Sequence, residues 1–339
     1  MRIYQSLCVL LTLVSLPSWA DAEPPAELIF ALKGSIVKIH TVTKSGGHGI
    51  GSGVVVAENL VATNCHVLAD ANGINVAARG ETYAPVSVRE DWRHDICVLR
   101  VEYLPLKPVV LGDDEQLQYE QDVFAIGFPG GPPKPQTTFG TIKALYPLDD
   151  AAIIRTSSSF VLGASGSALF DSEGKLIGLN TFKSPGRHSY YYSMPVKWIK
   201  ALLQAPETEH VSQNGRPLWD APENQRPYLM RVVIPMQNEE WDDLLRIASE
   251  WALQEPQTVE AIYYKALAEE HLGDLKAADA LYRQVLQANP RHSASLLADA
   301  RIARQQGESN RMLTLLSQLQ ALSPDMAQEL IPQEAGLAQ

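Results

Sequence analysis

The sequence predicts a multidomain protein with an all-β part of many short strands, followed by an all-α part of repeated helix pairs. Three observations carry this reading. Residues from about 26 to 204 break β-branched and apolar runs with Gly, Pro, Asn and Asp at short intervals, the pattern of a barrel or sandwich. Residues 205–226 place Pro206, Pro217 and Pro222 among polar residues, a linker composition. From about 227 to 330 the chain is rich in Ala, Leu, Glu and Gln at helical spacing, and Pro256, Pro290 and Pro324 recur at 34-residue intervals.

A chain of 339 residues is too long for one ordinary core. A net charge of −11 speaks against nucleic acid as a partner, since phosphates demand a basic face. Residues 1–20 read as a cleavable signal peptide: Arg2 is followed by the apolar run Leu7–Leu16 and by the small-x-small site Ser18-Trp19-Ala20. The expected location is therefore the periplasm or the exterior, with no membrane span in the mature chain. Cys8 falls in that segment, leaving Cys65 and Cys97. The sequence leaves open whether these two are bonded, because bonding requires a Cα separation of about 4.4–6.8 Å.

The strand pattern predicts segments at 35–41, 51–57, 85–89, 96–101, 122–128, 137–145, 151–156, 168–170 and 175–181. A helix is expected over 195–203, where Val196, Ile199, Leu202 and Leu203 share a face. In the last third, Gly273 and Gly307 keep the period of the prolines, as do Ala266 and Ala300. Segment 258–290 resembles a tetratricopeptide unit, and 291–324 a looser one.

Candidate chemistry follows from three segments in the chain order His, Asp, Ser. Thr63-Asn64-Cys65-His66-Val67 follows the Gly-rich run Gly51-Ser52-Gly53; Asp95-Ile96-Cys97-Val98-Leu99 heads an apolar strand; and Gly163-Ala164-Ser165-Gly166 is a small-residue turn. A hydroxyl nucleophile, an imidazole base and a carboxylate to orient it are the parts of acyl transfer. These segments, with their flanks, resemble the Deg (HtrA) branch of the chymotrypsin-fold serine proteases. The resemblance spans residues 30–204 and implies a double β-barrel, with His66, Asp95 and Ser165 catalytic and the amides of Gly163 and Ser165 forming an oxyanion hole. Ser167 and Ala168 depart from the family's Gly-Pro, and helical repeats stand where relatives carry a PDZ-type segment.

The same resemblance implies that Phe160, Thr181, Phe182 and Lys183 line the substrate groove, with Ser159 at the base of its specificity pocket. No cofactor and no metal site are expected, and polypeptides are the implied substrates. Ala164 stands where clipped zymogens carry an aspartate, so no activating cleavage is expected. The repeats are read as binding a protein partner, docking on the barrel or a second subunit, or gating access, and a chain ending near Pro206 is expected to keep activity on short peptides. His94 is read as a surface loop residue, and His271 and His292 as exposed on the repeats. The competing reading is a catalytically silent scaffold acting as an adaptor through those repeats.

Overall fold

The computed structural model describes residues 23–331 apart from 213–214, so the signal segment lies outside the described residues. A short helix that the strand pattern does not predict, α1 (Ala26–Lys33), leads into the first layer. There β1 (Ile36–Thr43) buries Val37, Ile39 and Thr41 while Lys38 and His40 are half-buried, the period of two expected of a strand. With β2 (His48–Ala57), β3 (Leu60–Thr63), β4 (Ala71–Ala78), β5 (Glu81–Tyr83), β6 (Ser87–Asp91) and β7 (Ile96–Arg100) it forms an antiparallel sheet ordered β5-β4-β1-β2-β3-β7-β6. The second layer joins β8 (Asp122–Gly127), β9 (Gln136–Leu148), β10 (Ala151–Thr156), β11 (Ala168–Asp171), β12 (Leu176–Lys183) and β13 (Tyr191–Pro195) into a closed barrel. The helix α2 (Val196–Leu202) follows at the expected place, burying Val196, Trp198, Ile199 and Leu202.

Strand-to-strand closure is complete only in the second layer. In the first, β5 is three residues long, and Pro85 between β5 and β6 supplies no N–H donor. The free edge of β6 is met instead by Thr208, which exchanges two 2.8 Å backbone hydrogen bonds with Val88.

That contact corrects the linker reading of 205–226. Glu207 accepts from Ser87 Oγ at 2.6 Å and pairs with Arg89 at 2.8 Å and with Arg100. Gly215 lies on the Trp92 ring, where a Cβ would come within 1.9 Å of a ring carbon. Pro217 is buried, and the Leu218 N–H donates to the Arg93 carbonyl at 3.1 Å. The prolines stiffen a strap laid against the first sheet rather than a free tether.

Beyond the strap come α3 (Tyr228–Arg231), α4 (Val233–Gln237), α5 (Trp241–Gln254), α6 (Val259–Leu272), α7 (Leu275–Ala288), α8 (Ser293–Gln305), α9 (Ser309–Leu322) and α10 (Pro324–Gln328). The 34-residue period corresponds to two helix–turn–helix units, α6–α7 and α8–α9. Gly273 ends α6 at a φ of 92°, a left-handed cap that glycine adopts at least cost. Asp274 then caps α7 by accepting from the Ala277 N–H at 2.9 Å. Ala266 and Ala300 are fully buried, which lets paired helices approach closely.

The helices dock in cis on the second barrel. Trp251 of α5 stacks on Tyr146 of β9 with ring centroids 6.1 Å apart, and one apolar core runs from Phe182 and Tyr192 through Tyr146 to Trp251 and Tyr264. Each such large side chain removed from water contributes about 2–3 kcal/mol. Polar groups cross the same seam: Arg155 donates to Tyr264 Oη at 3.1 Å, and Arg291 Nε to the Tyr119 carbonyl at 2.7 Å. His292 is buried here, 3.2 Å from the buried Glu260, which corrects the expectation that it is exposed. Packing against the barrel, invisible to helical periodicity, buries it. His271 is exposed and stacks on Trp241 at 3.7 Å.

Candidate active site

The pairing of β3 with β7 sets Thr63 opposite Cys97, so the turn after β3 and the turn before β7 emerge side by side. The first turn delivers His66 and the second Asp95. A disulfide joins their neighbours Cys65 and Cys97 across a Cα separation of 4.9 Å, deciding the question that the sequence left open. Asp95 takes a left-handed φ of 56°, an unusual conformation that Asp tolerates better than most residues. Asn64 Nδ2 holds the Asp95 carbonyl at 2.8 Å, and the carboxylate is fully buried. Its Oδ1 accepts the His66 backbone N–H at 2.8 Å, and Oδ2 lies 2.6 Å from His66 Nδ1. An ionised carboxylate only accepts, so Nδ1 carries the proton and Nε2 is left with its lone pair.

The second barrel brings Ser165 to that lone pair, with Oγ 2.9 Å from Nε2. Glycines shape the loop around it. Gly163 has a φ of 89° and Gly166 of 81°, and a Cβ at Gly166 would come within 2.1 Å of the Ser52 carbonyl. Ser52, at the seam between the layers, grips the loop twice: its Oγ donates to the Gly163 carbonyl at 2.8 Å and its N–H to the Ser165 carbonyl at 2.8 Å. The same Oγ accepts the Phe128 N–H at 2.9 Å. Ser167, the departure from the family pattern, is accommodated by Gly127, where a Cβ would lie 1.7 Å from the Ser167 hydroxyl.

The groove residues implied by resemblance divide. Lys183 is exposed at the end of β12. Phe160 is nearly buried and packs on Tyr191 at 5.1 Å. The side chains of Thr181 and Phe182 are turned inward, which leaves their main chain for the expected pairing with a substrate backbone. The Thr181 hydroxyl donates to the Leu179 carbonyl at 2.8 Å and accepts from Asn64 at 3.0 Å, while Phe182 stacks on Tyr192 at 4.7 Å. The cause is a shift in register on β13, which pairs Asn180 and Phe182 with successive residues and skips Thr181. These two positions offer only main chain to a bound peptide. Ser159 is exposed, and its buried neighbour Ser158 bonds Thr138 at 2.8 Å.

Three features near the site escape a reading of the sequence. Ser52 sits in a run whose glycines draw attention first. Trp219, assigned to the linker, donates its Nε1–H to Asp95 Oδ2 at 2.9 Å and meets the His66 ring edge-on at 5.3 Å. His94, expected on the surface, is half-buried: it stacks on Trp198 at 3.7 Å and lies 2.6 Å from Asp91 and 2.9 Å from Asp149. Its neighbour Arg93 bonds Asp149 at 2.8 Å, so the Asp95 turn is tied to the β9–β10 hairpin of the second barrel. For His94 only the nearby Asp91 is a signal in the sequence, since Trp198 and Asp149 arrive through the fold.

Residues 51–179 match the trypsin-like peptidase domain. A probable periplasmic serine endoprotease DegP-like of Chlamydia trachomatis is 33% identical over 163 residues, covering 45% of this chain and 33% of that protein. The chloroplastic Protease Do-like 1 of Arabidopsis thaliana is 35% identical over 172 residues, covering 46% of this chain and 38% of its own. The chain thus spans about a third of the length of the curated relatives it matches. The active form of the Rv3671c protease from M. tuberculosis shares the fold, with a TM-score of 0.51 at 23% identity over 61% of this chain and 98% of that one. Among the described residues no helix is long and apolar enough to cross a membrane. Residues 51–179 thus match a trypsin-like peptidase domain, and the chain is similar over less than half of its length to DegP-like and Do-like proteases.

Proposed function

We propose that this chain is an exported serine endopeptidase in which Ser165 is the nucleophile, His66 the general base and Asp95 the residue that orients the base and stabilises its protonated form. The observation that carries the reading is the relay of two hydrogen bonds, 2.6 Å from Asp95 to His66 and 2.9 Å from His66 to Ser165. On attack at a peptide carbonyl, the Ser165 proton passes to Nε2, and the imidazolium is stabilised by the buried Asp95 carboxylate. The amides of Gly163 and Ser165 serve as oxyanion donors, their loop held by Ser52. The imidazolium then protonates the leaving amine, and water, activated by the same imidazole, frees the acyl group from Ser165.

The Cys65–Cys97 disulfide and the periplasmic naming of relatives support export, since such bonds persist in oxidising compartments. The helical units are read as tetratricopeptide-like on their 34-residue period and paired helices, and as a recognition surface for a substrate or protein partner. A fluorescent phosphonate probe tests the central reading. Wild-type protein should be labelled covalently and cleave casein, and the Ser165→Ala variant should do neither. A folded wild-type protein left unlabelled would overturn it.

A further inference from the structure

We propose that Trp219 is a positioning residue for this reaction: its indole N–H, supplied by the strap that follows the barrels, holds the Asp95 carboxylate in line with His66. The inference rests on the triad reading above. Asp95 is fully buried, and a buried carboxylate must find donors for its lone pairs. Oδ1 has the His66 backbone N–H, and Oδ2 has both His66 Nδ1 and Trp219 Nε1. The Thr181 hydroxyl, which shares Asn64 with the Asp95 loop, is committed to the Leu179 carbonyl and offers Asp95 nothing. Trp219 therefore supplies the third N–H donor to the carboxylate.

The strap is fixed where it delivers that donor. Gly215 is seated on Trp92, Leu218 N–H bonds the Arg93 carbonyl two residues before Asp95, and the indole stacks on Phe182 at 6.0 Å. Two effects of the N–H oppose each other. It draws charge from Oδ2, which weakens the hold on imidazolium, and it prevents the carboxylate from turning out of line. Alignment wins, because the role of the aspartate is to fix tautomer and ring orientation, and small misplacements cost more than a modest change in charge. One consequence reverses an expectation from the sequence. A chain ending near Pro206 loses Trp219, so it should not retain full activity even on short peptides.

The test uses the full-length mature protein as wild type, Trp219→Phe, Gly215→Val and Ser165→Ala. Trp219→Phe keeps an aromatic ring and removes the donor; kcat on a short peptide should fall about ten-fold with KM nearly unchanged, as for loss of a hydrogen bond to a charged group. The low-field proton resonance between His66 and Asp95 should move, which a role in packing alone would not produce. Gly215→Val leaves the indole intact but lifts the strap off Trp92, and should reproduce the fall in kcat. Should Trp219→Phe fail to fold, the Gly215→Val variant decides. Wild-type kcat in either folded variant, with an unmoved resonance, would overturn the inference while leaving the triad reading intact. A folded wild-type protein that the phosphonate does not label would overturn both.

Discussion

Tyr119, on the segment entering the second barrel, donates its hydroxyl to Glu260 of the first repeat helix at 2.9 Å, and both side chains are buried. The same Glu260 oxygen lies 3.2 Å from His292. The seam between barrel and helices is thus closed by a buried polar cluster as well as by the Tyr146–Trp251 stack.

Glu260→Ala should destabilise the whole protein by about 3 kcal/mol, because it leaves two buried partners uncompensated. Tyr119→Phe, which removes one donor to the carboxylate, should cost about 2 kcal/mol. Burial pushes the Glu260 carboxyl up, yet the hydrogen bond and charge of His292, with Arg155 and Tyr119, hold it below its ordinary 4.5. A depressed carboxyl contributes stability above its unfolded value and loses it as pH falls through the folded one. Urea unfolding of wild type and Glu260→Ala from pH 7 to pH 3 should therefore converge toward the acid end.

The His94 crosslink should give stability its alkaline edge. Burial lowers His94, but hydrogen bonds and charges from Asp91 and Asp149 outweigh it and raise the group above 6.5. Its contribution is present below that value and is lost as pH rises through the raised one. Asp149 is lowered to about 2, chiefly by its hydrogen bond from Arg93, so its contribution fades only as pH falls from 3.8 toward 2. Because Asp149 is part-exposed, the effect on stability should not exceed about 1 kcal/mol. Melting temperatures of wild type and His94→Phe across pH 5–9 should differ most at the acid end of that range and approach each other at the alkaline end.

Cys65 and Cys97 should resist alkylation until reductant is added and then take two adducts by intact mass. A Cys65→Ala/Cys97→Ala double variant should lose about 4 kcal/mol, the loss expected for opening a loop of 32 residues. Since the bond ties the turn bearing His66 to the strand headed by Asp95, turnover should fall before the fold is lost. Unchanged kcat on reduction would separate the bond from the site.

Ser52→Ala should lower kcat with little change in KM. It removes the donor to the Gly163 carbonyl and the acceptor for Phe128 N–H, so the loop of the proposed oxyanion hole loses one of its two anchors. A fall of about ten-fold is expected, comparable with losing a single positioned hydrogen bond. Stopped-flow measurement of the acylation step distinguishes this from slower product release.

Much of this protein is legible from local pattern. Alternation of apolar residues exposes the strands around the site, and Gly163 and Gly166 announce a turn that only permissive backbone can make. The 34-residue recurrence of proline, glycine and alanine announces paired helices, and the chain order of His66, Asp95 and Ser165 announces a candidate chemistry. The strand β4 is hidden from local propensity, because Asn72, Gly73 and Asn75 favour turns and only pairing with β1 overrides them. The three-residue β5, which pairs only with β4, is hidden with it. What the tertiary structure alone decided are contacts between residues far apart in the chain. Trp219 reaches Asp95 from 124 residues away, Asp149 reaches His94 from 55, and Glu260 meets Tyr119 across 141. The fate of Cys65 and Cys97 and the inward turn of Thr181 were likewise settled by strand register. Local propensity acts over a few residues, whereas hydrogen bonds to buried charges are set by which surfaces the packed core brings together.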